Sequence, residues 1–250
     1  MKKLKMFALA MLTMLIPAAC AQPDAPPKHF YNAPENINPD PNYVPGDYAL
    51  QDIYAARTGY YAKKAELAAA AGTGDAVTLG TGEISFTIAK NETAHVTGTL
   101  KEFLGTLKFG AGGPEKMEII LDVNSLETGV PGRNNRILDI FFQSMKPEWG
   151  TASAVFDHFD LGGAFDAWKD GESREVRASG TLTLNGTARP VTATLTVRRR
   201  GQAWLVESSE PLTILLTDFG FENRIYDLMK ACNHKSIGNA VEIKVKLELR

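Results

Sequence analysis

The sequence predicts a mainly β protein, an antiparallel barrel or sandwich with an N-terminal helix and one short internal helix. Three observations carry that prediction. From Glu83 onward apolar residues alternate with polar ones, the period of a strand with one wet face. Turns rich in Gly, Asn or Pro divide this region into about nine such segments. The composition, 44% hydrophobic and 22% charged over 250 residues with 22 Gly and 13 Pro, is that of an ordinary globular chain with one sizeable core. Collagen-like, coiled-coil and multi-span membrane architectures are excluded. With 27 basic and 29 acidic residues the formal charge is −2, so no basic excess points to nucleic acid as a partner.

The first residues stand apart from the fold. Lys2, Lys3 and Lys5 precede an apolar run from Met6 to Ile16, then Pro17 and the small residues Ala18 to Ala21, the order of a secretory signal peptide over residues 1–21. The run is too short for a stable bilayer span, so the expected location is the periplasm. Cleavage has two readings. Ala19-Cys20-Ala21 fits an A-x-A site with Gln22 as the new N-terminus. Ala18-Ala19-Cys20 resembles a lipobox that would make Cys20 the acylated anchor of a lipoprotein, and membrane contact is expected only in that case. Without the three lysines the balance is 24 basic against 29 acidic, or −5. Cys232 is the one other cysteine, so no intramolecular disulfide is available and packing must suffice. As an isolated thiol it reads as a small half-buried residue, with a reactive or metal-binding role as the alternative.

Residues 22–45 hold Pro23, Pro26, Pro27, Pro34, Pro39, Pro41 and Pro45 among Asn and Asp, a disordered arm or tether. Residues 46–250 form the folded domain. Within it 52–82 reads as a helical insertion: Asp52 is a candidate N-cap, Ala-rich sequence follows through Ala71, and Gly72 is the stop. Its Tyr54, Tyr60 and Tyr61 need a surface, either the protein's own core or a partner. Strands follow at Glu83–Ile88, Val96–Phe103, Leu104–Phe109, Met117–Val123, Ser153–Phe159, Gly180–Leu184, Val191–Val197, Ala203–Glu207, Leu212–Thr217 and Val241–Leu249. Ile137, Leu138, Phe141, Phe142 and Met145 break the alternation at helical spacing and predict a short amphipathic helix over the sheet or one barrel mouth.

The inventory of reactive groups is thin. No G-x-S-x-G, H-E-x-x-H or C-x-x-C occurs, and the glycines at 72–82 and 110–113 lack the spacing of a phosphate loop. Asp157-His158 with Asp160, or Cys232 with His234, has metal-ligand chemistry at generic spacing, for which solvated surface residues are the plainer account. Arg198 to Arg200 before Gly201 reads as a solvated hairpin tip, or else an anion site. No cofactor is called for and no enzyme is predicted. A barrel of about eight strands is wide enough for one small ligand, and an apolar lining selects apolar ligands with no motif at all. Alternation by itself does not distinguish that from a packed core.

Several ordered segments carry a resemblance: Glu83-Ile-Ser-Phe-Thr-Ile; Val96-Thr-Gly-Thr-Leu with Phe103; Ile119-Ile-Leu-Asp-Val-Asn-Ser-Leu-Glu-Thr-Gly129; Arg133-Asn134; Phe141-Phe142; Pro147; and Gly180-Thr-Leu-Thr-Leu-Asn-Gly-Thr-Ala-Arg-Pro190-Val. Over Gly46 to Arg250 the chain resembles the YceI-like family of exported polyisoprenoid-binding proteins. The resemblance implies an extended lipocalin-like antiparallel β-barrel with a long isoprenoid chain threaded through its interior and no chemistry performed on it. Ser125, Thr128, Gly129, Arg133, Phe142, Gly180, Leu182, Gly186 and Pro190 occupy family positions, and Gly129, Gly180 and Gly186 read as turn residues. The chain departs from the family pattern in its Pro-rich arm, its Ala-rich insertion, Asn134 where Asp is frequent, and a lengthened connection at Glu222 to Lys235.

Strand-face alternation then assigns a lining of Phe86, Ile88, Ile119, Leu121, Leu182, Leu184, Leu195, Ile214, Leu216, Ile243 and Val245. Arg133 and Arg136 are candidates to meet a polar or pyrophosphate head at the mouth, because guanidinium suits phosphate geometry. The expected role is carriage or sequestration of a polyisoprenoid, an isoprenoid quinone or a similar lipid. The alternative is an envelope interaction module with a packed interior and the 52–71 helix as its docking surface.

Overall fold

A computed structural model describes residues 50–71, 76–110, 112–164 and 168–250. The signal segment, Cys20, the Pro-rich arm and the Gly72 stop lie outside the described residues. The described residues form a single antiparallel sheet of eleven strands, which resolves barrel against sandwich. Helix α1 (Leu50–Ala71) comes first, then β1 (Ala76–Lys90), β2 (Ala94–Leu100), β3 (Phe103–Gly110) and β4 (Gly113–Asp122). A 3-10 turn (Val123–Ser125) leads to β5 (Leu126–Glu127), helix α2 (Pro131–Arg136) and a π-helical turn (Ile137–Phe142). The hairpins β6 (Thr151–Asp160), β7 (Ser173–Leu184), β8 (Thr187–Arg200) and β9 (Ala203–Ser208) follow, then β10 (Leu212–Leu215), a 3-10 turn (Leu216–Phe219), helix α3 (Glu222–Ala231) and β11 (Ile237–Leu249).

Strand order is β10-β11-β9-β8-β7-β6-β4-β3-β1-β2-β5, and β11 also pairs with β1. That pairing joins β1, β3, β4, β6, β7, β8, β9 and β11 into a closed ring. The remaining strands are pieces of bent ones. β1 pairs with β3 at Ala76–Thr78 and with β2 at Ile84–Lys90. β11 pairs with β9 at Lys246–Leu249 and with β10 at Ala240–Ile243. Closure leaves few bare edges, which is how an all-β chain avoids pairing with other copies.

Several expectations are corrected. Segment 76–82, read as part of the helical insertion, opens β1 instead. Helix α1 begins at Leu50, so Asp52 lies inside its first turn. The strand expected at Val96–Phe103 breaks at Lys101 and Glu102, where the barrel wall bends. Leu216 leaves β10 for a 3-10 turn. Gly129 and Gly186 sit in turns at φ +76° and +70°, whereas Gly180 lies in mid-strand. A Cβ at Gly180 would collide with the Val155 carbonyl and the Phe156 backbone beside the irregular β6–β7 register at Phe156 and His158. Close approach of two strands, not a turn, demands that glycine.

The outer wall of β3 and β4 is covered by α1. Tyr60 is fully buried against Ile120, with Leu67, Tyr61 and Leu104 around them. Arg57 donates from Nε to Asp122 Oδ2 at 2.7 Å and its Nη2 lies 2.7 Å from the same oxygen, both residues being buried. Asp122 also accepts the Asn124 amide through Oδ1, capping the 3-10 turn. Burial pushes the Asp122 carboxyl above its ordinary range, against the pull of Arg57. Lys63 meets Glu118 at 3.1 Å further along the same strand. Tyr60 and Tyr61 therefore dock on the protein's own wall, while the side chain of Tyr54 lies outside the described residues.

Candidate functional site

The barrel interior is not filled evenly. One end holds a half-open cavity of about 240 Å3; the other has a void of about 40 Å3. Of the lining expected from strand alternation, Phe86, Ile88, Ile119, Leu121, Leu182, Leu184, Ile214, Leu216, Ile243 and Val245 all border the large cavity. The inward positions of β1, β4, β7 and β11 converge there because each strand keeps its alternation over several residues. Leu195 is the exception: it borders the small void with Trp168, Val176 and Trp204. β8 is a 14-residue strand, and Leu195 lies too far along it to reach the large cavity.

A lid covers the wide end. Helix α2 starts with Pro131, whose fixed φ suits a first turn, and the chain then widens into the π-turn. Asn134 is 1% exposed and fastens this start: its Oδ1 accepts from the Thr128 amide at 3.0 Å and the Thr128 hydroxyl at 2.6 Å, and its Nδ2 donates to Glu127. Asn134 thus closes the loop between β5 and α2. Ile137, Phe141 and Phe142 of the π-turn border the cavity. The short helix expected at Ile137 to Met145 is realised as this π-turn, which ends at Phe142 and leaves Met145 outside it.

Helix α3 completes the lid, in the segment read from sequence as a lengthened connection. Phe221 is fully buried and stacks on Phe141 with centroids 4.3 Å apart, and it meets Phe142 edge-on at 5.8 Å. Arg224 donates from Nη1 to Asn185 Oδ1 at 2.8 Å and to the carbonyl of Phe142 at 3.2 Å, while its guanidinium lies 3.9 Å from the Trp149 ring centre. A π-turn leaves carbonyls poorly served by its own backbone, and Arg224 takes one up. Leu228 and Cys232 then reach the cavity. The apolar spacing Ile225, Leu228, Cys232 was the available signal for this helix.

Polar groups gather at one part of the lining: Lys90, Arg133, Arg136, Cys232 and His234. Arg133 and Arg136, the head-group candidates, both border the cavity, and Arg136 is 6% exposed. Sequence reasoning missed Lys90, although it lies two residues beyond Ile88 on the same strand face. His234 was singled out only as a possible metal ligand beside Cys232 and not as lining; it is brought in when the Lys235 amide donates to Asn91 Oδ1 at 2.8 Å. The three cations act on their neighbours together. Burial, then Lys90, Arg133 and Arg136, lower the His234 pKa below its ordinary value. Burial raises the Cys232 thiol, and the same cations oppose it. Cys232 is a half-buried residue in an apolar wall. Asp157, His158 and Asp160 are exposed along β6, and among the described residues no group of three His, Cys, Asp or Glu could hold a metal ion.

Comparison with known proteins follows this geometry. No curated protein sequence matches the chain. Among solved structures, a polyisoprenoid binding domain from Saccharophagus degradans, implicated in plant cell wall breakdown, superposes with a TM-score of 0.62 at 24% identity. That match covers 70% of this chain and 98% of the other. BcnA from Burkholderia cenocepacia superposes with a TM-score of 0.54 at 19% identity, over 67% of this chain and 95% of its own. These likenesses establish the fold. The sequence model of the YceI-like domain matches residues 76–249, from the first residue of β1 to the last of β11. The matched span leaves out α1, and the chain belongs to the YceI-like family.

Proposed function

We propose that this protein binds one long apolar lipid inside its barrel and carries or sequesters it in the periplasm without altering it. The observation that carries this reading is the size and chemistry of the wide-end cavity. Apolar space left unfilled forfeits packing energy, roughly 24 cal/mol per Å3 when the void is sealed, and this half-open space of about 240 Å3 is lined almost wholly by apolar side chains. A domain whose whole stability is of order 5–15 kcal/mol does not keep such a void without a use for it. A packed interaction module would have closed it with larger side chains.

Hydrocarbon fits the lining. Each buried methylene contributes about 0.8 kcal/mol, so ten of them supply roughly 8 kcal/mol before the entropy of immobilising the chain is subtracted. Isoprenoids, isoprenoid quinones and related lipids satisfy this equally. The Saccharophagus degradans domain is described as polyisoprenoid binding, which supports the first of these. Lys90, Arg133 and Arg136 at the cavity's polar end suit a phosphate or diphosphate head.

The test is native mass spectrometry of the protein purified from its own periplasm, followed by organic extraction. An isoprenoid or quinone at near one-to-one occupancy is the expected result. A protein that arrives empty and takes up neither geranylgeraniol nor geranylgeranyl diphosphate overturns the proposal. Intact mass in the same experiment separates a Gln22 start from an acylated Cys20.

A further inference from the structure

We infer that the lid end of the barrel is a membrane-docking face, which seats the cavity mouth on a bilayer surface independently of any anchor at Cys20. The inference rests on the lipid-binding reading of the cavity.

Large exposed hydrophobic residues are few among those described: Val130, Leu215 and Tyr226, at 40%, 44% and 60% exposure. Single exposed apolar side chains are common on soluble proteins, so their mere presence decides nothing. Their placement does. Val130 caps the start of α2, three residues before Arg133. Leu215 ends β10 between Ile214 and Leu216, and Tyr226 lies on α3 two residues before Leu228. Arg133, Ile214, Leu216 and Leu228 all border the cavity. Three separate elements thus bring their exposed apolar residues to the same end. The outer face of β11 shows the contrast, presenting Glu242, Lys244 and Lys246 to solvent.

The chemistry of this end fits a bilayer interface. A tyrosine has an apolar body and a polar tip, and such residues concentrate at the headgroup level of membranes. Lys230 lies 5.5 Å from the Tyr226 ring centre, where its stem can follow the ring into the interface while its ammonium stays among headgroups. Lys90 and Arg133 add positive charge at the mouth, while Glu92, Asp218, Glu222 and Asp227 are exposed on or beside the same elements, so charges of both signs meet here and apolar insertion does the holding. No described helix is long and apolar enough to cross a membrane, so the contact is peripheral. A hydrocarbon chain avoids water entirely on its way between bilayer and barrel if the mouth sits on the bilayer.

The test uses the exported chain carrying Cys20→Ser, to remove any acyl anchor, and vesicles of three parts phosphatidylethanolamine to one part phosphatidylglycerol. The parent is expected to co-sediment with them, and the double variant Tyr226→Asp, Lys230→Glu to partition at least tenfold less. Both side chains are exposed, so folding should be unaffected, and circular dichroism checks that it is. The control pair Lys244→Glu, Lys246→Glu makes a larger change in charge on the barrel wall and should partition like the parent. A parent that does not bind these vesicles overturns the inference, as does a Tyr226 and Lys230 variant that binds as well as the parent or a control pair that loses binding equally. Uptake of geranylgeraniol from detergent micelles is measured alongside. Failure there by the parent overturns the lipid-binding reading, whereas retained uptake with lost vesicle binding in the Tyr226 and Lys230 variant is the signature of docking.

Discussion

The two ends of the barrel are made from the same strands and differ in where their apolar material lies. At the narrow end it is inside: Trp168 and Trp204 meet edge-to-face at 5.5 Å, and Leu195, Val206 and Leu249 close the remaining space. At the wide end it has moved to the periphery. Ile84, Leu121 and Leu182 face a cavity instead of one another, while rigidity comes from α1 outside the wall and from the Phe141–Phe221 stack in the lid. The difference teaches that a barrel can be hollow at one end provided its wall and roof are braced. The bracing at the wide end is polar as well as apolar, with Arg57–Asp122 outside and Arg224 at the roof.

The sharpest way to break the comparison is to remove that brace. Asp122→Ala leaves Arg57 buried without its counter-charge and is expected to cost about 3–5 kcal/mol in urea unfolding. Replacing both residues with Met and Leu should restore most of it, since packing can substitute for a buried ion pair. If Asp122→Ala is neutral, α1 is not a brace and the wide end stands unaided.

A matched pair of truncations compares the interiors. Leu195→Ala, in the filled end, is expected to lose about 3–4 kcal/mol with lipid uptake unchanged. Leu182→Ala, beside existing space, should lose nearer 2 kcal/mol and alter uptake. Equal costs would mean that both ends are packed alike in solution.

Smaller effects probe the polar part of the cavity. Arg133→Gln is expected to weaken geranylgeranyl diphosphate by about tenfold, or 1.4 kcal/mol, while geranylgeraniol binds as before. Equal loss for the two removes the head-group role. The smallest effect concerns pH. The folded pKa of His234 lies below its unfolded value of about 6.5, so below that pH the unfolded chain binds more protons. The stability contributed by keeping His234 neutral is therefore present above pH 6.5 and lost as pH falls through the folded value. His234→Asn should flatten the stability profile between pH 7 and 5 relative to the parent, and an unchanged slope would assign it elsewhere.

Local alternation made the wall legible before the structure did. β4 spells out its inward face as Met117, Ile119 and Leu121, and β11 as Val241, Ile243 and Val245. It even contained a sign of the outer brace, since Ile120 is an apolar residue on the outward face and is fully buried under Tyr60. Other features depend on partners remote in sequence. The split between hollow and filled ends cannot be read from alternation, because Leu182 and Leu195 look alike in their strands and differ only in how far each lies along the barrel axis. His234 reaches the cavity through a turn tied to Asn91, and the π-turn is stabilised by Arg224, 82 residues from Phe142. Helix α3 was legible in principle, since Ile225, Leu228 and Cys232 share one face and Glu222, Asn223, Asp227 and Lys230 the other.

The seam between β1 and β11 ties together residues as far apart as Ile84 and Val245, across nearly the whole domain. Loop-closure entropy makes such a contact late to form, and folds dominated by distant pairings are slow. Until β11 arrives, β1 has an open edge and the cavity is a gutter of exposed apolar side chains. The wide end is also where β10 and β2 flank that seam, so a lipid encountered during folding would meet an unclosed trough before it met a mouth. Order of assembly, and not only the finished shape, thereby sets when this apolar surface is first closed off from its surroundings.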